Sequence, residues 1–351
     1  MRLVQASLTA ESALRGARGE YVYKVMRLRQ DRGVAKVSYG FLDLASTVSR
    51  MDLKRIGSQV HTVQFKSALK DREYEQLAKA LESHPEVTLR AYGSYDGSIT
   101  NLDFLRFFPE VRRFSADALY NSLTNIEGLA YLSEKVESIG LGQTRVRVSL
   151  APLARFQALG ELFIEGHTKD IEVLGMLTSL RSLTLRSVTL PGLTLLRPLR
   201  ELRGLELKLG GTSDLSELPN IGTLEYLELW MVKGLSDLSP IADLRSLEYL
   251  FLQALRQVTR LPEMSRLISL RRVWLQTMKG LTDLAPLRDA PSLTQLALVD
   301  MRHLQPEALR PLVGHPTLTS LIAGFGSAKK NDAAHALIPV PSEGDWRKPN
   351  W

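Results

Sequence analysis

The sequence predicts an α/β solenoid: one parallel sheet assembled strand by strand from stacked units, with short or irregular return segments between them. Residues 224–292 divide into three successive 23-residue copies, LEYLELWMVKGLSDLSPIADLRS, LEYLFLQALRQVTRLPEMSRLIS and LRRVWLQTMKGLTDLAPLRDAPS. They share L-x-x-[LV]-x-L-x-x-[LMV]-x-x-[LV]-x-x-[LM], and a fixed period of roughly 20–29 residues marks a repeat architecture. The fourth and sixth places of each copy are two apart, so on a strand both point to one face and fill a core. Each apolar side chain contributes roughly 1.5–3 kcal/mol when buried, against roughly 1–2 kcal/mol per residue for ordering the backbone. A single unit therefore cannot fold alone, and the copies must stack.

Taken in order, residues 1–33 show weak periodicity and are assigned to an N-terminal cap, with a short helix over Ala6–Ala17 and a strand over Tyr21–Leu28. Residues 34–86 are divergent repeats, in which VAKVSYG and VHTVQFK share V-x-x-V-x-[YF] and are expected to supply strands of the array. Between Asp71 and Ser83, Tyr74, Leu77, Ala78 and Leu81 recur at helical spacing with Pro85 beyond, which predicts a helical return segment. Residues 87–325 form the main array. It opens with VTLRAYG, VRRFSAD and VESIGLG, and from Leu159 successive units start at 159, 180, 202, 224, 247, 270, 293 and 318. Residues 326–351 are a C-terminal cap and tail: a short helix is expected over Asn331–Leu337, and PVPSEGDWRKPNW reads as a loose end or a strap on the last repeat.

The opening motif and period resemble the leucine-rich repeat family, over residues 87–325 well and 34–86 weakly. That resemblance implies a leucine-rich repeat horseshoe with its parallel sheet on the concave face. The return segments GLSDLSPIADL and GLTDLAPLRDA are similar to those of the bacterial short-repeat, internalin-like subclass. Its ninth-place Asn ladder is missing, since Val232, Leu255, Met278 and Met301 stand there. Apolar packing is expected to hold the turn instead, with Asp237 and Asp283 accepting backbone N–H bonds in the turn that follows.

Composition narrows the function classes. The 351 residues include no cysteine, which excludes disulfides, thiolate metal sites and cysteine nucleophiles and fits a reducing cytoplasm. Neither a secretory signal nor a membrane span is visible in the N-terminal residues. The formal charge of +7 is uneven: residues 1–72 hold 14 Lys or Arg against 6 Asp or Glu, leaving 31 against 32 elsewhere. A basic segment of this kind is either a solvated cap or a surface for nucleic acid or another anionic partner.

Few residues suggest chemistry. The six histidines are scattered without H-E-x-x-H spacing. Glu165, His167 and Asp170 lie close in EGHTKD and fit either a hydrogen-bonded turn or a small metal or acid–base cluster. GLG at 140–142 and GFG at 324–326 lack the context of a nucleotide site. No catalytic residues, cofactor or metal are expected.

Third, fifth and seventh places alternate with the core and face the other side of the sheet. In three consecutive units they place Tyr226, Glu228, Trp230, Tyr249, Phe251, Arg272 and Trp274 in one expected patch. Aromatics flanked by Arg match the composition of interaction hot spots. The competing readings are that a sheet tolerates aromatics, or that Trp346 and Trp351 fold back over them. The expected function is a monomeric, cytoplasmic, bacterial scaffold that binds a protein through this patch without catalysis. Nucleic-acid or anionic-surface binding by the basic N-terminal segment is the alternative. Alanine at Phe251 and Trp274 is expected to abolish binding with thermal stability nearly unchanged.

Overall fold

The computed structural model describes residues 36–38, 40–44, 48–57, 59–349 and 351. The expected cap over residues 1–33, with its helix and strand, lies outside these residues, as does much of the basic segment. Among the described residues, fourteen strands form a single sheet in chain order. They are β1 (Lys36–Ser38), β2 (Phe41–Leu44), β3 (Thr62–Phe65), β4 (Thr88–Tyr92), β5 (Arg113–Ala118), β6 (Ser138–Leu141) and β7 (Glu161–Glu165). The sheet continues with β8 (Ser182–Arg186), β9 (Gly204–Lys208), β10 (Tyr226–Trp230), β11 (Tyr249–Gln253), β12 (Arg272–Gln276), β13 (Gln295–Val299) and β14 (Ser320–Ala323). Strands β2 to β14 all run parallel, giving an open horseshoe solenoid.

One strand expectation is corrected. VAKVSYG does supply a strand of the sheet, but Lys36–Ser38 pairs antiparallel with Phe41–Leu44, and the latter is the first parallel strand. The left-handed Gly40, at φ 80°, turns the chain between them. The alternation in VAKVSYG is that of any strand and carries no direction, so the hairpin was hidden.

The 23-residue period sets the register. Leu227, Leu250, Val273 and Leu296 are Cα partners in succession, as are Leu229, Leu252, Leu275 and Leu298. All eight are completely buried. The ninth-place residues Val232, Leu255, Met278 and Met301 are buried too, so apolar packing does replace the Asn ladder.

A backbone ladder stands beside that packing. At the eighth place Ser187, Leu209, Met231, Ala254 and Thr277 all adopt left-handed φ between 50° and 59°. Each donates its N–H to the seventh-place carbonyl of the next unit, Met231 to Gln253 and Ala254 to Gln276 at 2.9 Å each. The strained residue thus satisfies a backbone donor as the chain leaves the sheet.

Return segments differ along the chain. Helix α1 (Arg50–Leu53) is one turn, and α2 (Asp71–Leu81) fits the expected helix, with Tyr74, Leu77 and Leu81 on its buried face. Most later returns are short 3-10 segments, many with Pro at the first or second position. Asp237 accepts from the Ser239 N–H and Asp283 from the Ala285 N–H, each at 2.8 Å, as expected. Asn101, Asn125, Ser149 and Asp214 make the same bond two residues ahead in other units. Helix α3 (Ala328–Leu337) closes the array, starting three residues earlier than expected because Ser327 caps it.

Candidate functional site

Register brings the seven predicted residues together on one face. Across β9 to β13, the third places form the row Gly204, Tyr226, Tyr249, Arg272, Gln295, and the fifth places form Glu206, Glu228, Phe251, Trp274, Ala297. Trp230 lies in the seventh-place row between Lys208 and Gln253. The Phe251 and Trp274 rings stack at 5.7 Å, Tyr226 meets Tyr249 edge-on at 5.2 Å, and the Arg272 guanidinium lies 4.9 Å from the Tyr249 ring centre. Trp230 takes the Arg186 guanidinium at 5.3 Å.

The charges are equally ordered. Lys208 Nζ lies 2.5 Å from Glu206 and 3.0 Å from Glu228, whose other tie is a 2.8 Å bond from the Tyr226 hydroxyl. Burial pushes the Tyr249 phenol well above its usual range, although Arg272 opposes it. Toward the N-terminal end of the sheet, Arg90 grips Asp117 with two bonds of 2.6 and 3.0 Å. Burial alone would raise that carboxyl, but the guanidinium beside it holds it below the usual carboxylate range.

The tail crosses this face. Leu321 of β14 donates to the Pro341 carbonyl at 2.9 Å, and from there the chain runs back over lower-numbered strands. Trp346 packs edge-on against Trp274 at 5.2 Å and Tyr249 at 6.2 Å. Arg272 Nη1 donates to the carbonyls of Asp345, at 3.3 Å, and Arg347, at 3.0 Å. Lys348 contacts Glu206 and lies 5.6 Å from the Tyr226 ring centre. The Trp351 indole donates to Glu225 at 2.7 Å. It occupies the notch at Gly204, where an added Cβ would stand 2.4 Å from the ring.

As a result Tyr226, Tyr249 and Trp274 are buried, while Trp230, Phe251 and Arg272 keep part of their surface. Gly204, Glu206, Lys208 and Glu225 belong to the same surface and were not singled out in the sequence. A glycine inside a bulky strand was the signal for close approach at position 204.

Other candidates resolve as structure. His167 is buried with Nε2 2.9 Å from the Gly142 carbonyl, Glu165 pairs with Arg186 at 3.0 Å, and Asp170 contacts Ser149. Burial holds the His167 imidazole below its ordinary value, against weaker pulls from Gly142 and Glu165. Among the described residues no group of three or more His, Cys, Asp or Glu is placed to hold a metal. Gly142 of GLG packs where a Cβ would meet the Asp117 carbonyl at 2.0 Å. No helix of the described residues is long and apolar enough to cross a membrane.

No protein-family model matches the sequence, and no curated protein matches it. Among solved structures the chain is similar to an internalin (inlF) of Listeria monocytogenes, at 19% identity, covering 85% of this chain and 90% of that one with a TM-score of 0.52. An internalin C2 (inlC2) of the same organism shows 22% identity over 63% of this chain and 82% of its own, with a TM-score of 0.38. A leucine-rich repeat protein of Leptospira interrogans shows 14% identity over 84% and 92%, with a TM-score of 0.44. With its motif, period, parallel register and buried ninth-place residues, the chain has the leucine-rich repeat fold, in the short-repeat, internalin-like form without an Asn ladder.

Proposed function

We propose that the protein is a non-catalytic interaction scaffold that binds a partner protein through the concave face around Tyr226, Glu228, Trp230, Tyr249, Phe251, Arg272 and Trp274. The observation that carries this reading is the in-register convergence of five aromatics, one Arg and one Glu on adjacent strands of a rigid sheet. Strands fixed on both sides by backbone bonds present these groups with little ordering on binding. Trp, Tyr and Arg in such a cluster are the residue types whose truncation at interfaces removes about 2 kcal/mol or more. The absence of cysteine supports a cytoplasmic setting. The capped C-terminal edge of the sheet favours a monomer.

The test is affinity capture from lysate of the source organism, comparing wild type with a Trp230→Ala, Phe251→Ala, Trp274→Ala variant. A protein retained by wild type and lost from the variant supports the patch. Nucleic acid retained equally by both would overturn this reading and move the activity to the basic N-terminal segment.

A further inference from the structure

We propose that residues 342–351 are an intramolecular occupant of the partner groove, and that the partner is an extended protein segment with a matching aromatic, basic, aromatic pattern. This rests on the scaffold reading above and adds the chemistry of the ligand and its competition with the tail.

The groove has three subsites, each defined by what the tail places in it. Tyr249 and Trp274 receive the Trp346 ring. Glu206 and the Tyr226 ring receive the Lys348 ammonium. The gap left by Gly204 receives Trp351, with Glu225 accepting its indole N–H.

Electrostatics fix the middle subsite. Glu206 and Glu228 are both buried and share Lys208, so two carboxylates face one ammonium. Lys348 supplies the second positive charge. Any segment that displaces the tail must also bring a cation, because an unpaired buried carboxylate is strongly disfavoured.

The tail is also a replaceable occupant. It joins no strand of the sheet, and Arg272 reaches its backbone only through two carbonyls. Trp346 Nε1 and Gln295 Oε1 are both buried at this contact without a hydrogen-bond partner in the protein. Release of the tail hydrates Trp346 Nε1, and a better-fitted segment can satisfy Gln295 Oε1. Beyond Trp351 the groove continues into a cleft of about 440 Å³, bordered by Arg113, Asp117, Glu161 and Phe163, which the tail does not fill. A longer partner can enter it.

A tethered segment acts at an effective concentration of roughly millimolar. A free peptide with an intrinsic Kd of about 10–100 μM is therefore weakened roughly 10–100-fold by the closed tail.

The experiment uses a fluorescent synthetic peptide of residues 341–351, read by anisotropy against the full chain. It should bind a full chain carrying Trp346→Ala, Lys348→Ala and Trp351→Ala at least ~10-fold more tightly than it binds wild type. A peptide with the Lys348→Glu change should bind neither. Adding Gly204→Leu to the loosened chain should weaken the peptide by a similar factor. A full chain carrying only Lys348→Glu serves as a second opened form if the triple variant melts abnormally. Equal affinity for wild-type and opened chains would overturn the proposal, and so would no binding to a normally melting opened chain. Concentration-dependent dimerisation of wild type through exchanged tails would overturn it too, by making a second copy the occupant. The peptide needs no natural partner. Peptide binding without a captured protein leaves the groove chemistry standing and sinks the scaffold reading, and the reverse pattern does the opposite.

Discussion

At the scale of single residues, the eighth place of each unit shows where sequence and backbone disagree. Met231 holds φ 50° and Thr277 φ 53°, although left-handed backbone disfavours an L residue by about 1–2 kcal/mol. Met231 is also partly exposed, so its side chain contributes little packing to offset this. Met231→Gly should therefore raise the unfolding free energy by up to about 1 kcal/mol, after the extra chain entropy of Gly is subtracted. Chemical denaturation checks it, and a loss of stability would show that the Met side chain packs in solution. Burial of Trp274 under Trp346 also changes the expectation for alanine there. Trp274→Ala should lower stability by about 1–3 kcal/mol, because it removes a ring stacked on Phe251 and covered by the tail. Phe251→Ala, at a half-covered ring, should lower it less.

His167 belongs to the same scale. Its folded-state pKa lies below the ordinary histidine value of about 6.5, as does that of His315, each chiefly through burial. Between the two values the unfolded chain binds protons that the folded chain does not, so stability is complete above about pH 6.5 and falls as the pH drops toward the folded values. Melting temperature should decline between about pH 7 and pH 5, and His167→Gln should flatten that decline. An unchanged slope in the variant would assign the acid sensitivity elsewhere.

At the scale of elements, the return segments read as variations on one turn. Six units place Asn, Ser or Asp where its side chain accepts a backbone N–H two residues ahead. The unit at 247–269 has Arg260 where Asp237 and Asp283 stand in its neighbours, Glu263 accepts the Ser265 N–H at 3.3 Å instead, and no 3-10 turn forms in its return segment. Asp283→Ala should destabilise the protein by roughly 0.5–1 kcal/mol, whereas Arg260→Asp should leave it nearly unchanged, because Pro262 two residues ahead has no N–H to donate. Thermal melts should fall for Asp283→Ala and stay close to wild type for Arg260→Asp. These capping residues were legible at Asp237 and Asp283 because those copies align without gaps. They were not legible at Asn101 or Ser149, where unit length wanders and alignment fails. The β1–β2 hairpin was hidden for a different reason, since direction of pairing lies in the turn at Gly40 and not in strand composition.

At the scale of the whole molecule, the 23-residue period made the sheet, its register and the common face of the seven patch residues readable in advance. Strand spacing converts sequence period directly into neighbours, so Tyr226, Tyr249 and Arg272 had to align. The docking of the tail was less readable: it depends on contacts separated by more than a hundred residues, such as Trp351 with Glu225. Period carries no information about them. Deleting residues 247–269 joins two compatible unit faces and should leave a folded, shorter solenoid by circular dichroism. It also removes Tyr249, half of the Trp346 subsite, and shortens the path from β14 to β9 by about 4.8 Å, one strand spacing, so Trp346 and Lys348 can no longer be seated together. Proteolysis within residues 342–351 should then become fast, whereas continued protection would show that the tail tolerates slippage.

The crossing direction of the tail has one more consequence. An extended chain advances at most about 3.3–3.6 Å per residue, while the strands beneath it repeat every ~4.8 Å. The two scales slide past each other like a vernier and come back into step only about every seven residues, or five strands. A ligand lying across the horseshoe is thus measured by the intervals between its anchoring side chains more than by the residues between them, and inserting one residue between two anchors puts the second out of step.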